Sequence, residues 1–258
     1  MLDEFVLRAI VAVILLAINS ALAVSFTVFR DVPFLVAGSA HAALAGAALF
    51  IAIETVIDMN PFIGAIIFAI FIALSASKAK QANVAIGISF AFSMGLAVLF
   101  ISLIKEQAAR VWGLLFGDLL LLTNDDIFTM ATFTAVLVTL YLAFIRDFLF
   151  VCFDEEGAEV SGIRVTWINV ILLSTIALAT VVAMKAVGAI LVYAMLIAPA
   201  AAANRVAGST GQVFLLSALF ALLAGFAGMG IALLFPLSPS AIAALIVTAI
   251  YFFTLRKR

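Results

Sequence analysis

Apolar residues fill this chain in long blocks, and polar residues gather in the short gaps between them. Blocks of this length read as helices that cross a bilayer, because about 20 apolar residues span its hydrocarbon core. The blocks are 5–29, 33–57, 61–77, 84–104, 127–150, 167–184, 186–204, 211–235 and 239–255. That is nine expected spans, with eight or ten compatible with the same pattern. The run 167–204 is nearly unbroken and too long for one crossing, so it is expected to fold back around Lys185 and Gly188. No block alternates apolar and polar residues as a barrel wall must. The stretch "VWGLLFGDLLLLTNDD" at 111–126 has an apolar part of only about a dozen residues, short for a crossing. It is expected to lie in the interface or to dip in and return. Pro236 and Pro239 mark the turn between the last two spans, since proline removes a helix donor. The first block begins acidic, is long for a signal peptide and ends in no clear small-x-small cleavage site, so it reads as the first span.

Composition agrees. Of 258 residues, 67% are hydrophobic and 10% charged, and mean hydropathy is +1.38. No soluble core hides that much apolar surface. The fold class is therefore all-α: a polytopic membrane bundle forming one transmembrane domain over residues 1–258. A net charge of −1 gives no case for nucleic-acid binding. Cys152 is the only cysteine and cannot form an intramolecular disulfide. The terminal "LRKR" favours a cytoplasmic C-terminus under the positive-inside rule. With nine spans, Arg8, Lys105, Arg110 and Lys185 then fall outside and the other nine of the thirteen Lys and Arg fall inside. The N-terminus is expected outside, and the longest charged interruption, 146–166, inside.

Candidate chemistry is sparse. His41 is the only histidine, and it lies beside a stripe of small residues, Gly38, Ala42 and Gly46, spaced one helical turn apart. Small residues let helices approach closely in lipid. An imidazole there needs a partner or water: it is either hydrogen-bonded to a carbonyl or a transient ligand for a first-row metal. Glu54 and Asp58, with Met59 and Asn60, lie near the outer end of the same span and are either solvated or a cation vestibule. Asp118, Asp125 and Asp126 share that side, as a hydrated loop or a cation-attracting surface. Pro199 cannot donate to the carbonyl of Met195, so a kink is expected there. Freed carbonyls at membrane depth are tolerated beside shielding helices or a wet path. Met195 to Pro199 is thus either a shielded packing kink or part of a translocation pathway.

Four separated motifs carry a resemblance. Glu156, Gly157, Ala158 and, four residues on, Gly162 resemble the E-A-A-x-x-x-G loop of ATP-binding-cassette importer permeases, with glycine at the second position. The run "VAMKAVGAILVYAMLIAPAAAANR" (182–205) resembles the signature of the zinc/manganese/iron uptake branch. It keeps Val187, Gly188, Ala189, Leu191, Leu196, Pro199, Ala200, Ala201 and Arg205, with Asn204 inserted before the arginine. "LLFGDLLLLTNDDI" (114–127) resembles that branch's L-F-G-D-L-L-x-x-T-x-x-D-L, and His41, Ala42, Leu44 and Gly46 match its G-D-A-L-S-H-A-x-L-P-G. Ala37 stands where the branch has an aspartate, and Ala45 where it has a proline.

The resemblance implies the permease subunit of a divalent-metal importer in the plasma (inner) membrane, working by alternating access. It implies a second permease copy, a cytoplasmic ATPase and an extracellular solute-binding protein as partners. The ATPase would dock on a short helix within 154–164, making Asp154, Glu155, Glu156, Ala158 and Gly162 the coupling residues. The metal is cargo; no tightly bound cofactor is expected. No G-x-x-x-x-G-K-[ST] occurs, so ATP hydrolysis would belong to the partner. A permease for a metal chelate or vitamin, and an ion-coupled secondary carrier, are the alternatives. A scaffold without transport would leave the charged loop unexplained.

Overall fold

The computed structural model describes residues 4–54, 60–104 and 108–256. Asp58, Met59, Lys105 and the terminal Lys257 and Arg258 lie outside the described residues.

The described chain is helical, and elements are numbered in order. The first span, Glu4–Phe29, comprises α1 (Glu4–Asn19), a π-helical turn (Ser20–Val24) and α2 (Ser25–Phe29). There follow α3 (Phe34–Ile53), α4 (Pro61–Lys78), α5 (Ala82–Leu103), α6 (Ala108–Phe116) and α7 (Asn124–Phe153). The chain ends with α8 (Glu155–Val160), α9 (Val165–Val206), α10 (Thr210–Leu234) and α11 (Pro239–Thr254). Seven helices are long and apolar enough to cross a membrane, and α11, with 16 residues, is a shorter apolar helix.

The 42 residues of α9 are not one rod. Gly188 has φ 78° and ψ 160°, a conformation open to glycine and interrupting helical geometry. The contacts of the two arms show a reversal. Lys185 meets Asp126 at the start of α7, whereas Asn169 meets Glu155 just past its end. On the second arm, Ile197 and Ala201 line a cavity with Val28 and Asp31, and Arg30 beside them pairs with Glu155. The chain therefore turns at Gly188 and runs back. Among the described residues this gives nine passes, with the two chain ends at opposite ends of the bundle. The turn falls at Gly188, within the expected fold-back around Lys185 and Gly188, because glycine tolerates the dihedrals while Lys185 stays helical and reaches sideways to Asp126.

That turn is covered by the short segment the sequence set apart. The nine-residue α6 ends at Phe116, and Gly117, which follows it, also has positive φ (60°). A side chain on Gly117 would strike the backbone of Gly188, and one on Gly188 would strike Phe116 and Leu115. Leu119 and Leu122 are buried after the turn. The segment thus dips onto the α9 hairpin and returns.

Burial divides the bundle. The spanning windows of α3 and α9 are 72% and 67% buried, whereas that of α5 is 17% buried. The outer helices show apolar side chains to their surroundings, such as Ile88, Phe92 and Val98, which is the expected surface where lipid is the solvent. Inside, the small stripe of α3 behaves as its spacing predicts. Gly46 meets Gly64 of α4 backbone to backbone, and Gly38 sits against Ile72 and Ile86. Buried polar side chains tie helices across the core: Asn19 donates to Thr134 (2.9 Å), and the Tyr141 and Thr175 hydroxyls share a hydrogen bond (2.9 Å).

Gly188→Ala is expected to destabilise the detergent-purified protein by at least ~2 kcal/mol, through strained dihedrals and the backbone clash. Gly230→Ala, where an added methyl meets open space, should leave the unfolding temperature unchanged or slightly higher. Thermal denaturation of the pair checks this.

Candidate functional site

Polar chemistry collects at the two ends of the bundle and along one line between them. At the end carrying Asp126, two ion pairs form. Arg110 of α6 donates to Glu54 at the end of α3, and Lys185 Nζ donates to Asp126 (3.0 Å) while lying 4.7 Å from the centre of the Phe62 ring. Asp126 also closes a capping box with Thr123 at the start of α7. Arg110, Asp126, Lys185 and Asn60 line a cavity of about 270 Å³. Sequence reasoning had Glu54 and Asp126 but missed their cationic partners. A lysine inside a forty-residue apolar run was the available signal, since it needs a carboxylate there. Asp118 accepts from the Leu120 N–H (2.9 Å), and Asp125 is exposed.

His41 lies elsewhere. Thirteen residues separate it from Glu54 on the same helix, about 20 Å by helical rise. Its Nδ1 is 2.9 Å from the Ala37 carbonyl of its own helix. A carbonyl only accepts, so Nδ1 carries the proton and Nε2 is the imidazole's one free acceptor. The ring meets Phe90 of α5 edge-on, with centroids 4.9 Å apart. Among the described residues no three His, Cys, Asp or Glu side chains group to hold a metal.

Midway, the first span meets the second arm of α9. Ser20, in the π-helical turn, donates its hydroxyl to the Leu196 carbonyl (2.9 Å) and shares a hydrogen bond with Ser217 of α10 (3.1 Å). Leu196 follows Met195, whose carbonyl loses its donor to Pro199. Helical dihedrals continue through Pro199; Gly188 is the non-helical residue of α9. Met195, Leu196 and Pro199 are buried. The helix thus continues through the turn before Pro199, and Ser20 bonds the Leu196 carbonyl beside the one that Pro199 leaves without a donor.

At the other end, α8 stands off the spans. Asp154 caps it, with Oδ1 accepting from the Gly157 N–H (2.9 Å). A methyl on residue 157 would collide with that carboxylate, so the cap explains the glycine within the E-G-A motif. Ala158 is fully buried, seating the helix. Gly162 has φ 85° and ends it: its N–H bonds to Glu159 and the Ile163 N–H to Ala158, the two bonds of a Schellman stop. Glu155 turns back toward the spans, pairing with Arg30 (2.9 Å) and accepting from Asn169 (3.4 Å). Glu156, Glu159 and Val160 are exposed. The residues expected to couple to an ATPase therefore divide into a cap, a tether, a seat, a stop and an outward face.

The whole chain, residues 2–258, matches the ABC 3 transport family.

This protein belongs to the ABC 3 transport family.

The relatives agree with that placement. Over 254 residues, 96% of this chain and 89% of the other, it is 30% identical to the manganese transport system membrane protein MntC of Listeria monocytogenes. It is 32% identical over 243 residues, 94% and 86% of the two chains, to a probable metal transport system membrane protein of Thermotoga maritima. Its fold is similar to that in the structure of PsaBC from Streptococcus pneumoniae in complex with Fab, with TM-score 0.87, 26% identity and coverage of 99% and 92%. As an ABC 3 family chain it is a multi-pass membrane protein, and one of the motifs that carried the resemblance, Glu156 to Gly162, forms the capped, glycine-stopped α8.

Asp154→Ala removes the cap and is expected to cost α8 about 1 kcal/mol. Hydrogen exchange at the Gly157 and Ala158 amides should then quicken about five-fold, with the spans unaffected.

Proposed function

We propose that this chain is the permease subunit of an ABC importer for a divalent transition metal. The observation that carries the reading is α8: a short helix outside the spans, capped by Asp154, stopped by Gly162 and presenting Glu156, Glu159 and Val160 outward. Family membership supplies the class of machine, and relatives named for manganese transport favour manganese among the metals. On this reading the α8 end is cytoplasmic and an ATPase subunit grips residues 154–164. The Asp126 end faces outward, where a solute-binding protein delivers the metal. Two copies pair about a two-fold axis in the plasma (inner) membrane, and the C-terminus is cytoplasmic. The positive-inside count supports that orientation, since Arg30, Lys80, Arg164 and Arg205 lie toward the α8 end and Arg110 and Lys185 at the other.

The mechanism is alternating access. Nucleotide binding and release in the ATPases move α8, and the spans tilt about the pathway to open it outward and then inward. The chain contributes no hydrolysis. His41 serves as a transient contact: one free nitrogen binds weakly enough to release, as a conducting site requires. Glu54, beside its arginine, helps form the entry, with Asp58 as an added carboxylate.

A second reading, import of a metal chelate, draws on the single imidazole donor at His41 and on Ala37, which places no carboxylate one turn before it. Cargo carrying its own ligands would need fewer from the protein.

Coexpression with candidate ATPases tests the importer. A stable complex that is lost in Gly162→Val, where a branched residue meets positive φ, supports it; no complex with any ATPase, or one indifferent to Gly162 and Glu156, sinks it. Uptake assays in cells then address the cargo. His41→Ala is expected to lower manganese accumulation about ten-fold if the imidazole contacts the ion during transit; unchanged accumulation removes His41 from the pathway.

A further inference from the structure

Arg30 was flagged by no motif, yet it sits where three elements meet. It ends α2, with its N–H bonded to the Phe26 carbonyl (2.9 Å). Its guanidinium donates to the Val151 carbonyl near the end of α7 (3.1 Å) and pairs with Glu155 at the start of α8 (2.9 Å). Aromatic packing reinforces the same junction: Phe29 meets Phe153 at 5.4 Å, and Phe26 meets Phe148 at 5.7 Å. Asn169 of α9 joins through Glu155. The Arg30 side chain is only 20% exposed, and its Nη1 meets the carbonyl and the carboxylate together, a charge-assisted contact to both elements from one nitrogen.

The contacts continue inward. From Arg30, α2 leads through Thr27, whose hydroxyl donates to Val24 (2.6 Å), into the π-helical turn. There Ser20 holds the Leu196 carbonyl and Ser217, one turn before Pro199. A π-helical turn carries one more residue per turn than its neighbours and is a recurrent feature of functional sites. A cavity of about 340 Å³, lined by Arg30, Ser77, Lys80, Glu155 and Asn169, opens beside the pair and leaves room for it to move.

We propose that the Arg30–Glu155 pair is the joint through which α8 moves the first span, and that Ser20 hands that motion to the proline-199 turn of α9. This rests on the permease reading above, and it assigns to Arg30 and Ser20 positioning roles rather than contact with cargo. Glu155 accordingly works toward the membrane, while Glu156 and Glu159 face the motor. A run of contacts alone does not demonstrate coupling, so the test reads coupling directly.

The permease is reconstituted with its ATPase in liposomes, and ATP hydrolysed per manganese ion transported is measured. Arg30→Gln should leave the complex assembled and hydrolysing ATP while raising that ratio about ten-fold. The charge exchange Arg30→Glu with Glu155→Arg should recover most of the loss, which ties the effect to this pair, while hydrolysis at the wild-type rate in Arg30→Gln separates it from a merely folding role. Ser20→Ala, small enough to fold, should raise the ratio about three-fold. A wild-type ratio in both Arg30→Gln and Ser20→Ala overturns the proposal while leaving the permease standing. Wild-type liposomes that transport no manganese with ATP would instead overturn the reading beneath it.

Discussion

A chain dissolved in lipid has no water to satisfy its backbone, so every departure from an α-helix must be paired or buried inside the protein. This structure depends on how three such departures are handled. At Gly188 the helix reverses, and Gly117 is pressed against the turn backbone to backbone. In the first span the π-helical turn brings Ser20 to a carbonyl on α9. At Pro199 a donor is missing, and that same serine binds beside the gap. The last two lie in the core where the first span, α9 and α10 meet, and the first lies at the Asp126 end, under α6.

The two ends of the bundle show a different economy of charge. Three ion pairs form among the described residues: Glu54 with Arg110, Asp126 with Lys185, Glu155 with Arg30. Each pair joins elements distant in sequence, and each lies at an end rather than in the apolar middle. Exposed pairs contribute little to stability. Their value here is positional, because each fixes where one helix end stands against another.

Much of this was legible in sequence. Block length gave the spans, since a bilayer imposes one helix length; the overlong run 167–204 required a reversal; and the short 111–126 segment could not cross. Pairing was not legible. Nothing in the sequence links Arg30 to Glu155 or Arg110 to Glu54, because hydrophobic periodicity fixes that a helix crosses but not which helix stands beside it. The π-helical turn left no signal, as Ser20 to Val24 read like any apolar segment. The site was half visible: the E-G-A motif located α8, while the reason for its glycine, the Asp154 cap, needed coordinates. His41 was found as an oddity of composition, and the structure places its Nδ1 on its own helix.

The central claim is that an external ATPase drives cargo through this bundle. Manganese accumulation in liposomes holding the chain with and without its ATPase measures this most directly. The account predicts accumulation only when both proteins and ATP are present, insensitive to collapse of the proton gradient. Accumulation by the chain alone, driven by an ion gradient, would contradict it.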